Sequence, residues 1–333
     1  MKGDISKIIN NASLVRKYSM HKKVKNIIET LKEVIDEYND GFIEANNIDI
    51  KNNNGFTLDF DIVSRIFNNI KSEDVLYGTV YDSRKDDKIM YGRELLDIGN
   101  VVVINDGNTY VILEMILKNL LVCNNVIIVD NGYMHGVNHL LVELVRSSLE
   151  KYKIDPNVVQ IYETDYIEEV LDKFASIDLV VCIGNHTLQS EVLSKTKNKT
   201  IISGYDNFDI FVESLEHVDF IEALRDLGLN IQWYVKDDLD ISFDNEIRVL
   251  DLDEAIAQIN YNGSKFSTCI FTVETSKASR FIREVKSTYI TVNTSPTIER
   301  LLDIKTTDLA SIKTVIYPNS LKLDGSSEEI KVD

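Results

Sequence analysis

Short apolar runs alternate with helical patterns through the middle of the chain. Residues 101–104 form a continuous β-branched run, which is typical of a strand buried on both faces of a parallel sheet. Residues 108–121 have the three- and four-residue apolar spacing of a helix. The alternation continues with predicted strands at 126–129, 158–162, 179–183 and 200–202 and predicted helices at 135–149, 166–174 and 187–195. It predicts an α/β fold with a doubly wound parallel sheet, in which the strands at 101–104, 126–129 and 179–183 are neighbours.

A second α/β block follows with the same alternation. Its apolar runs predict strands at 208–212, 230–234, 247–250, 268–273 and 289–292, and helices at 218–227, 251–260 and 276–285. Asp251 is the predicted N-cap of the middle helix, and Glu254 stands three residues later, as in a capping box.

The N-terminal third has a different pattern. Residues 4–47 and 59–72 carry helical spacing, and residues 76–81 and 88–91 predict two strands joined by a polar turn at 83–87. The first strand of this hairpin is apolar, so its edge, if left exposed, would pair non-specifically with strands of other chains. We therefore expect a strand of a second subunit to cover that edge, with cover from the same chain as the alternative.

Composition narrows the function classes. The chain has 333 residues, enough for two domains, and 44% of them are hydrophobic. Its net charge of −18 argues against nucleic acid or an anionic membrane as a partner. No apolar run approaches the ~20 residues that span a bilayer, and residues 1–25 lack a secretory signal, so we expect a cytoplasmic protein. Three widely spaced cysteines, Cys123, Cys182 and Cys269, favour buried thiols, and neither a disulfide framework nor a metal site is predicted.

Several stretches together resemble a known family. Residues 249–260 are VLDLDEAIAQIN, and Gly263-Ser264, SRFIREV at 279–285 and YITVNTS at 289–295 follow in order. Upstream, the matching stretches are YGR at 91–93, GNVVVI at 99–104, NNVIIV at 124–129, and Ile201-Ile202 with Asp206. In this order they resemble γ-glutamyl phosphate reductase (glutamate-5-semialdehyde dehydrogenase), a member of the aldehyde-dehydrogenase superfamily.

The resemblance implies an aldehyde-dehydrogenase-like fold in three parts. These parts are a Rossmann-like cofactor-type domain at 1–75 and 93–203, a truncated catalytic-type domain at 204–306, and an oligomerisation unit made of the hairpin at 76–92 and a strand within 307–333. In the superfamily such a strand, here expected near 314–318, helps to extend a partner's sheet. The resemblance therefore implies a homodimer or higher homo-oligomer, with a subunit of a filament or a larger complex as a further possibility.

The family's catalytic cysteine has no counterpart in the chain. The family reaction needs a thiolate that attacks an acyl phosphate and forms a thioester, which NADPH then reduces. Here residues 206–213 run almost directly into the helix at 218–227, so the segment with that cysteine is missing. Ser203 and Ser214 flank the gap without a recognisable base. The resemblance thus predicts a divergent, catalytically inactive homologue with a binding or assembly role. The alternative is a functioning NAD(P)-dependent reductase of L-glutamyl 5-phosphate in proline biosynthesis.

Candidate site residues follow the buried strands. Asn108 matches the family's oxyanion-stabilising asparagine, with a helix N-cap as the alternative role. Asp130 and Gly132 replace a basic, glycine-rich turn. The carboxylate would repel the 2′-phosphate of NADP and suits a ribose hydroxyl of NAD, unless Asp130 is only a turn former. Gly184 and His186 stand where the family has a glycine-rich run, as ligand contacts or a helix start. The cofactor by resemblance is NADP or NAD, retained or lost, and a small-molecule or protein partner is left open.

Overall fold

The computed structural model describes residues 5–13, 20–52, 55–71, 77–78, 80–85, 89–105, 107–164, 166–184, 186–203, 207–226, 230–264, 266–296 and 304–318. Its α-helices in chain order are α1 Ile5–Ser13, α2 Val24–Glu37, α3 Asn39–Lys51, α4 Phe60–Lys71, α5 Thr109–Leu121, α6 His135–Lys151, α7 Glu168–Leu171, α8 His186–Lys195, α9 Val218–Asp226, α10 Leu252–Asn262 and α11 Thr275–Glu284. Its strands are β1 Val80–Lys85, β2 Ile89–Asp97, β3 Asn100–Asn105, β4 Asn125–Asp130, β5 Val159–Glu163, β6 Leu179–Ile183, β7 Thr200–Ser203, β8 Asn207–Val212, β9 Asn230–Lys236, β10 Glu246–Val249, β11 Ser267–Phe271, β12 Tyr289–Val292 and β13 Ala310–Pro318.

The first sheet is parallel, with the strand order β5-β4-β3-β6-β7. Val101 pairs with Val126 on one side and with Leu179 on the other, so the predicted neighbours are confirmed. Every residue of β3 and β4 is buried. Val101 and Val103 join the main apolar core, whereas Val102 and Ile104 join a smaller core on the opposite face, which also contains residues of α1 and α8. Helices on both faces make the sheet doubly wound, as predicted.

The second sheet is also parallel, with the order β10-β9-β8-β11-β12. On one face, α10 and α11 bury Ile256 and Phe281 against the strands. The predicted cap of α10 is present, because the Asp251 carboxylate accepts a hydrogen bond from the Glu254 amide at 3.0 Å. The Glu254 carboxylate accepts from the Leu250 amide at 2.8 Å, one residue before the N-cap.

A third, antiparallel sheet has the order β1-β2-β13. The predicted hairpin exists, but its strands are placed later: residues 83–85, predicted as turn, pair with residues 90–92. An antiparallel pair is held by backbone hydrogen bonds, so it continues through polar residues that break an apolar pattern. β13 of the same chain covers β2 along its whole length, and β1 and β13 are the outer strands of this sheet.

The predicted helix at 166–174 is shorter, since only Glu168–Leu171 is α-helical and Phe174–Ser176 forms a 3₁₀ turn. The N-terminal helices α2 and α4 contribute fully buried side chains such as Ile27, Leu31 and Ile70 to the main core. Among the described helices, none has both the length and the apolar character that a membrane crossing requires.

A buried carboxylate lies inside the second block. The side chain of Asp209, on β8, accepts hydrogen bonds from the Ser264 amide at 2.8 Å and the Ser264 hydroxyl at 2.9 Å. A Cβ atom at Gly263 would lie 2.9 Å from this carboxylate, so the loop before β11 needs glycine there. Burial raises the pKa of Asp209 to about 6, although the Ser264 contacts oppose the rise. Ionisation of the Asp209 carboxyl group is therefore less favourable in the folded chain than in the unfolded chain.

We expect Asp209→Asn to stabilise the protein at neutral pH by on the order of 1–3 kcal/mol. The raised folded-state pKa means that the wild type loses stability relative to the variant as pH rises from about 4 to about 6, and the difference is constant above that. Urea unfolding of both proteins at pH 4 and pH 7 measures the difference. An advantage of the same size at both pH values would contradict burial of an ionisable carboxylate as its cause.

Candidate functional site

The candidate residues gather at the carboxyl-terminal edge of the first sheet. Asp130 is the last residue of β4, and Asn105 is the last residue of the neighbouring strand β3. Gly184 directly follows β6, on the other side of β3. In open α/β sheets this edge, near the point where the strand order reverses, is where ligands bind.

Asn108 is the N-cap of α5. Its side-chain oxygen Oδ1 accepts hydrogen bonds from the Tyr110 amide at 3.0 Å and from the Val111 amide at 3.4 Å. The capping alternative therefore describes the observed contacts. An oxyanion would need a donor, and in an asparagine that is the amide nitrogen Nδ2, not the capping oxygen. The oxyanion role stays a prediction.

Asp130 forms the centre of a polar cluster. Its side chain is buried, Oδ1 accepts from the Gly132 amide at 3.1 Å, and Oδ2 lies 2.6 Å from Nδ1 of His135. Burial alone would raise the Asp130 pKa, but His139, His135 and the Gly132 amide outweigh burial and hold it below its ordinary value. The contact with the Gly132 amide is that of a turn former, and two imidazoles stand beside the same carboxylate. The nucleotide contact of Asp130 stays a prediction.

His139 and Glu163 complete the cluster, and sequence reasoning missed both of them as well as His135. Nε2 of His139 lies 3.4 Å from Asp130 Oδ2 and 3.2 Å from Glu163 Oε1. The adjacent Asp130 carboxylate raises the pKa of His139, and burial opposes this only in part. One signal was available in the sequence: His135 and His139 are four residues apart on a predicted helix, so they share one face. The contribution of Glu163 needs the strand order, because it pairs with Asp130 across β4 and β5.

The start of α6 is already occupied by a side chain of the same chain. The buried Asp49 carboxylate, from α3, accepts hydrogen bonds from the Gly136 amide at 3.0 Å and the Val137 amide at 3.1 Å. Free amides at a helix N-terminus are the usual contacts of a phosphate group. At α6 these amides are used by Asp49. Gly132 has a φ of 87° in the turn after β4, and a Cβ atom there would meet open space. Its predicted cofactor contact stays a prediction.

Gly184 lies in the link between β6 and α8. Its amide donates to the Ser203 carbonyl at 3.1 Å, and its carbonyl accepts from the Gln189 side chain at 2.7 Å. These bonds join the ends of β6 and β7. His186 begins α8, but its side chain lies outside the described part of the structure, so its predicted ligand contact stays a prediction.

A second polar pocket, of 280 Å³, lies at the carboxyl-terminal edge of the second sheet. Glu213, just after β8, contacts Lys277 at 2.5 Å and accepts from the Thr272 hydroxyl at 2.7 Å. Arg280 in the same pocket pairs with Asp253. Since these cations already contact carboxylates of the chain, we assign no anion to this pocket.

Comparison with known proteins places this geometry in a family context. No family model matches the chain. The γ-glutamyl phosphate reductase of Dictyoglomus thermophilum is 24% identical over 293 residues, covering 71% of this chain and 70% of that protein. The crystal structure of γ-glutamyl phosphate reductase from Thermotoga maritima superposes with a TM-score of 0.66 at 17% identity, covering 95% of this chain and 98% of that one. The chain is similar to γ-glutamyl phosphate reductase in sequence and in fold. The resemblance and the aldehyde-dehydrogenase-like fold are thereby confirmed.

A related structure holds a nucleotide. Glyceraldehyde-3-phosphate dehydrogenase GapN from Methanocaldococcus jannaschii, solved in complex with NADP, has a TM-score of 0.70 at 13% identity and covers 94% of both chains. A likeness at this identity establishes the shared fold.

The cysteines bear on the catalytic thiolate that the resemblance implies. All three cysteines of the sequence, Cys123, Cys182 and Cys269, are buried free thiols. Burial raises the pKa of Cys269 to about 11, and its Sγ contacts the Thr294 carbonyl at 3.1 Å. β8 begins only four residues after the end of β7, and the intervening residues 204–206 lie outside the described structure. Ser214 accepts a hydrogen bond from the Glu216 amide at 3.2 Å, which is a turn contact.

Proposed function

We propose that this protein is a catalytically silent relative of γ-glutamyl phosphate reductase with a binding or assembly role. The observation that carries the proposal is the burial of every thiol in the chain. A nucleophilic cysteine reacts as a thiolate and must reach its substrate. Cys123, Cys182 and Cys269 are each at most 1% exposed, and the raised pKa of Cys269 disfavours its thiolate further.

The competing function is a working NAD(P)-dependent reductase of L-glutamyl 5-phosphate in proline biosynthesis. The similarity to γ-glutamyl phosphate reductases favours it. It would need a nucleophile other than cysteine, and Ser203 is buried at the end of β7. Turnover by the purified chain separates the two functions, and we expect none above background.

The domain division belongs to the same proposal. We assign residues 1–75 and 93–203 to a cofactor-type unit and 204–306 to a truncated catalytic-type unit. The hairpin at 76–92 and the C-terminal strand serve assembly. β1 and β13 are the outer strands of their sheet, and outer strands present unpaired backbone groups that a second copy can satisfy. Light scattering of the intact chain measures this self-association.

The polar edge of the first sheet favours NAD over NADP. Asp130 and Glu163 place two carboxylates at paired positions of β4 and β5, and Asp49 occupies the amides at the start of α6. An added 2′-phosphate would meet these carboxylates, whereas a ribose hydroxyl can donate to them. The residues present therefore do not fit a 2′-phosphate.

We expect NAD⁺ to bind at least about tenfold more tightly than NADP⁺, which corresponds to about 1.4 kcal/mol. Isothermal titration of the chelator-treated protein with each nucleotide measures the two dissociation constants. Asp130→Asn and Glu163→Gln each remove one negative charge at nearly constant side-chain shape. Both variants should bring the dissociation constants for NAD⁺ and NADP⁺ closer together. Tighter binding of NADP⁺ to the unmodified chain would refute the proposed preference.

A further inference from the structure

We propose that Asp130, His135, His139 and Glu163 form a binding site for a divalent transition-metal ion, with zinc as its natural occupant. The site lies at the ends of β4 and β5 against the first turns of α6. The proposal requires neither a nucleotide nor turnover, but it uses the two carboxylates that the NAD proposal assigns to a ribose, so a bound zinc ion and a ribose would compete for them.

The ligand atoms are already gathered at one point. One donor atom each from Asp130, His135 and His139 lies within 4.8 Å of the others. Zinc–ligand bonds of about 2.0–2.1 Å in tetrahedral geometry place neighbouring ligand atoms about 3.3 Å apart. His139 Nε2 stands 3.4 Å from Asp130 Oδ2 and 3.2 Å from Glu163 Oε1. His135 places Nδ1 at 2.6 Å from Asp130 Oδ2 and Nε2 at 3.8 Å from Glu163 Oε1, so its ring borders the same point.

The charges and hydrogen bonds of the cluster also point to a cation. Two carboxylates occupy paired positions on neighbouring strands, where like charges repel. His139 Nε2 is buried between the two carboxylates, 3.4 Å from Asp130 Oδ2 and 3.2 Å from Glu163 Oε1. A metal ion between these atoms would neutralise the carboxylates and give this nitrogen a ligand bond.

The surrounding residues hold the ligands in place. The Gly132 amide binds Oδ1 of Asp130 and leaves Oδ2 directed toward the histidines. Asp49 fixes the first turn of α6, and this helix carries both imidazoles. Such outer contacts orient metal ligands and strengthen binding. The side chains of His135 and Glu163 are 46% and 51% exposed, which gives an ion a route of entry from solvent.

The donor set selects the class of metal. Two imidazole nitrogens with carboxylate oxygens suit zinc, nickel, cobalt or copper, whereas calcium and magnesium prefer all-oxygen sites. Among these ions, zinc has no geometric preference of its own and is usually four-coordinate in proteins, which matches two imidazoles and two carboxylates.

Equilibrium dialysis of the chelator-stripped full chain against ZnCl₂ tests the proposal. We expect one zinc ion per chain with a dissociation constant of about 1 µM or tighter. Titration with Co²⁺ should give the visible absorption of a tetrahedral site, and Mg²⁺ should not compete. No bound zinc above the level of a His135→Ala/His139→Ala double variant would overturn the proposal.

Single variants separate the site from adventitious surface binding. His139→Ala should weaken zinc binding by more than about 100-fold, since loss of even an outer contact costs about 10–100-fold. Glu163 is half-exposed at the end of β5, so Glu163→Gln tests one proposed ligand with little effect on the stability of the fold. The matched control is His217→Ala, in the second block, which should leave the affinity unchanged. Equal loss in His217→Ala and His139→Ala would show non-specific binding and refute the site.

Discussion

We expect the purified chain to oxidise glutamate-5-semialdehyde, with inorganic phosphate and NADP⁺ or NAD⁺, at least about 10⁴-fold more slowly than the Thermotoga maritima enzyme assayed beside it. The family reaction proceeds through covalent attack by a thiolate, and every thiol of this chain is buried. In the direction assayed, a thiolate would add to the aldehyde, the thiohemiacetal would transfer hydride to the nicotinamide, and phosphate would release the resulting thioester; a buried thiol is poorly placed to begin this sequence. Absorbance of the reduced nicotinamide at saturating substrate measures the rate.

A rate in the ordinary enzyme range of about 1–10³ per second would contradict the catalytically silent function. Cys182→Ser and Cys269→Ser then show whether either of these two thiols is responsible, and Ser203→Ala tests the buried hydroxyl at the end of β7. If the residual rate is the same in all three variants and in the parent, the activity does not depend on these groups.

The second large effect concerns a buried ion pair. Lys118 on α5 is 4% exposed; its Nζ lies 2.7 Å from Glu114 and donates to the Ile304 carbonyl at 2.6 Å. We expect Lys118→Met to destabilise the chain by about 3–5 kcal/mol, because it removes the cation beside a buried carboxylate. Urea unfolding followed by circular dichroism measures the loss.

Two variants control for this result. Glu114→Gln/Lys118→Met removes both charges and should recover most of the lost stability, since the penalty comes from the carboxylate that remains. Lys32→Met breaks an exposed pair with Asp36 on α2 and should cost at most about 1 kcal/mol. If Lys118→Met costs no more than Lys32→Met, leaving the Glu114 carboxylate unpaired carries no large penalty and this explanation is wrong.

The sequence predicted the first sheet well because its signal is local. β3, β4 and β6 are continuous apolar runs, and a strand buried on both faces needs such a run wherever it lies in the sheet. The hairpin was placed less accurately, since β1 continues through Ser83 to Lys85. Pairing of an outer strand depends on backbone contacts with β2, which leave no apolar pattern.

The polar cluster was only half predictable for a related reason. Asp130 was identifiable because it directly follows a buried strand. His135 and His139 share a helix face by spacing alone, yet nothing local says that this face turns toward Asp130. Glu163 joins them only because β5 lies beside β4, and strand order is a property of the whole sheet. Contacts between elements distant in sequence therefore set the composition of the site.

The pairing of β2 with β13 also has a consequence for synthesis on the ribosome. Asp97 pairs with Ala310, so the edge of β2 that faces β13 stays unpaired until β13 has been synthesised. All strands of both parallel sheets are translated in this interval. At ordinary elongation rates this wait lasts roughly ten to forty seconds. For that interval the nascent chain presents an unsatisfied row of backbone groups beside β1, and neighbouring chains on the same polysome present the same row. Chaperone contact during translation is therefore most valuable at β2, well before the C-terminus emerges.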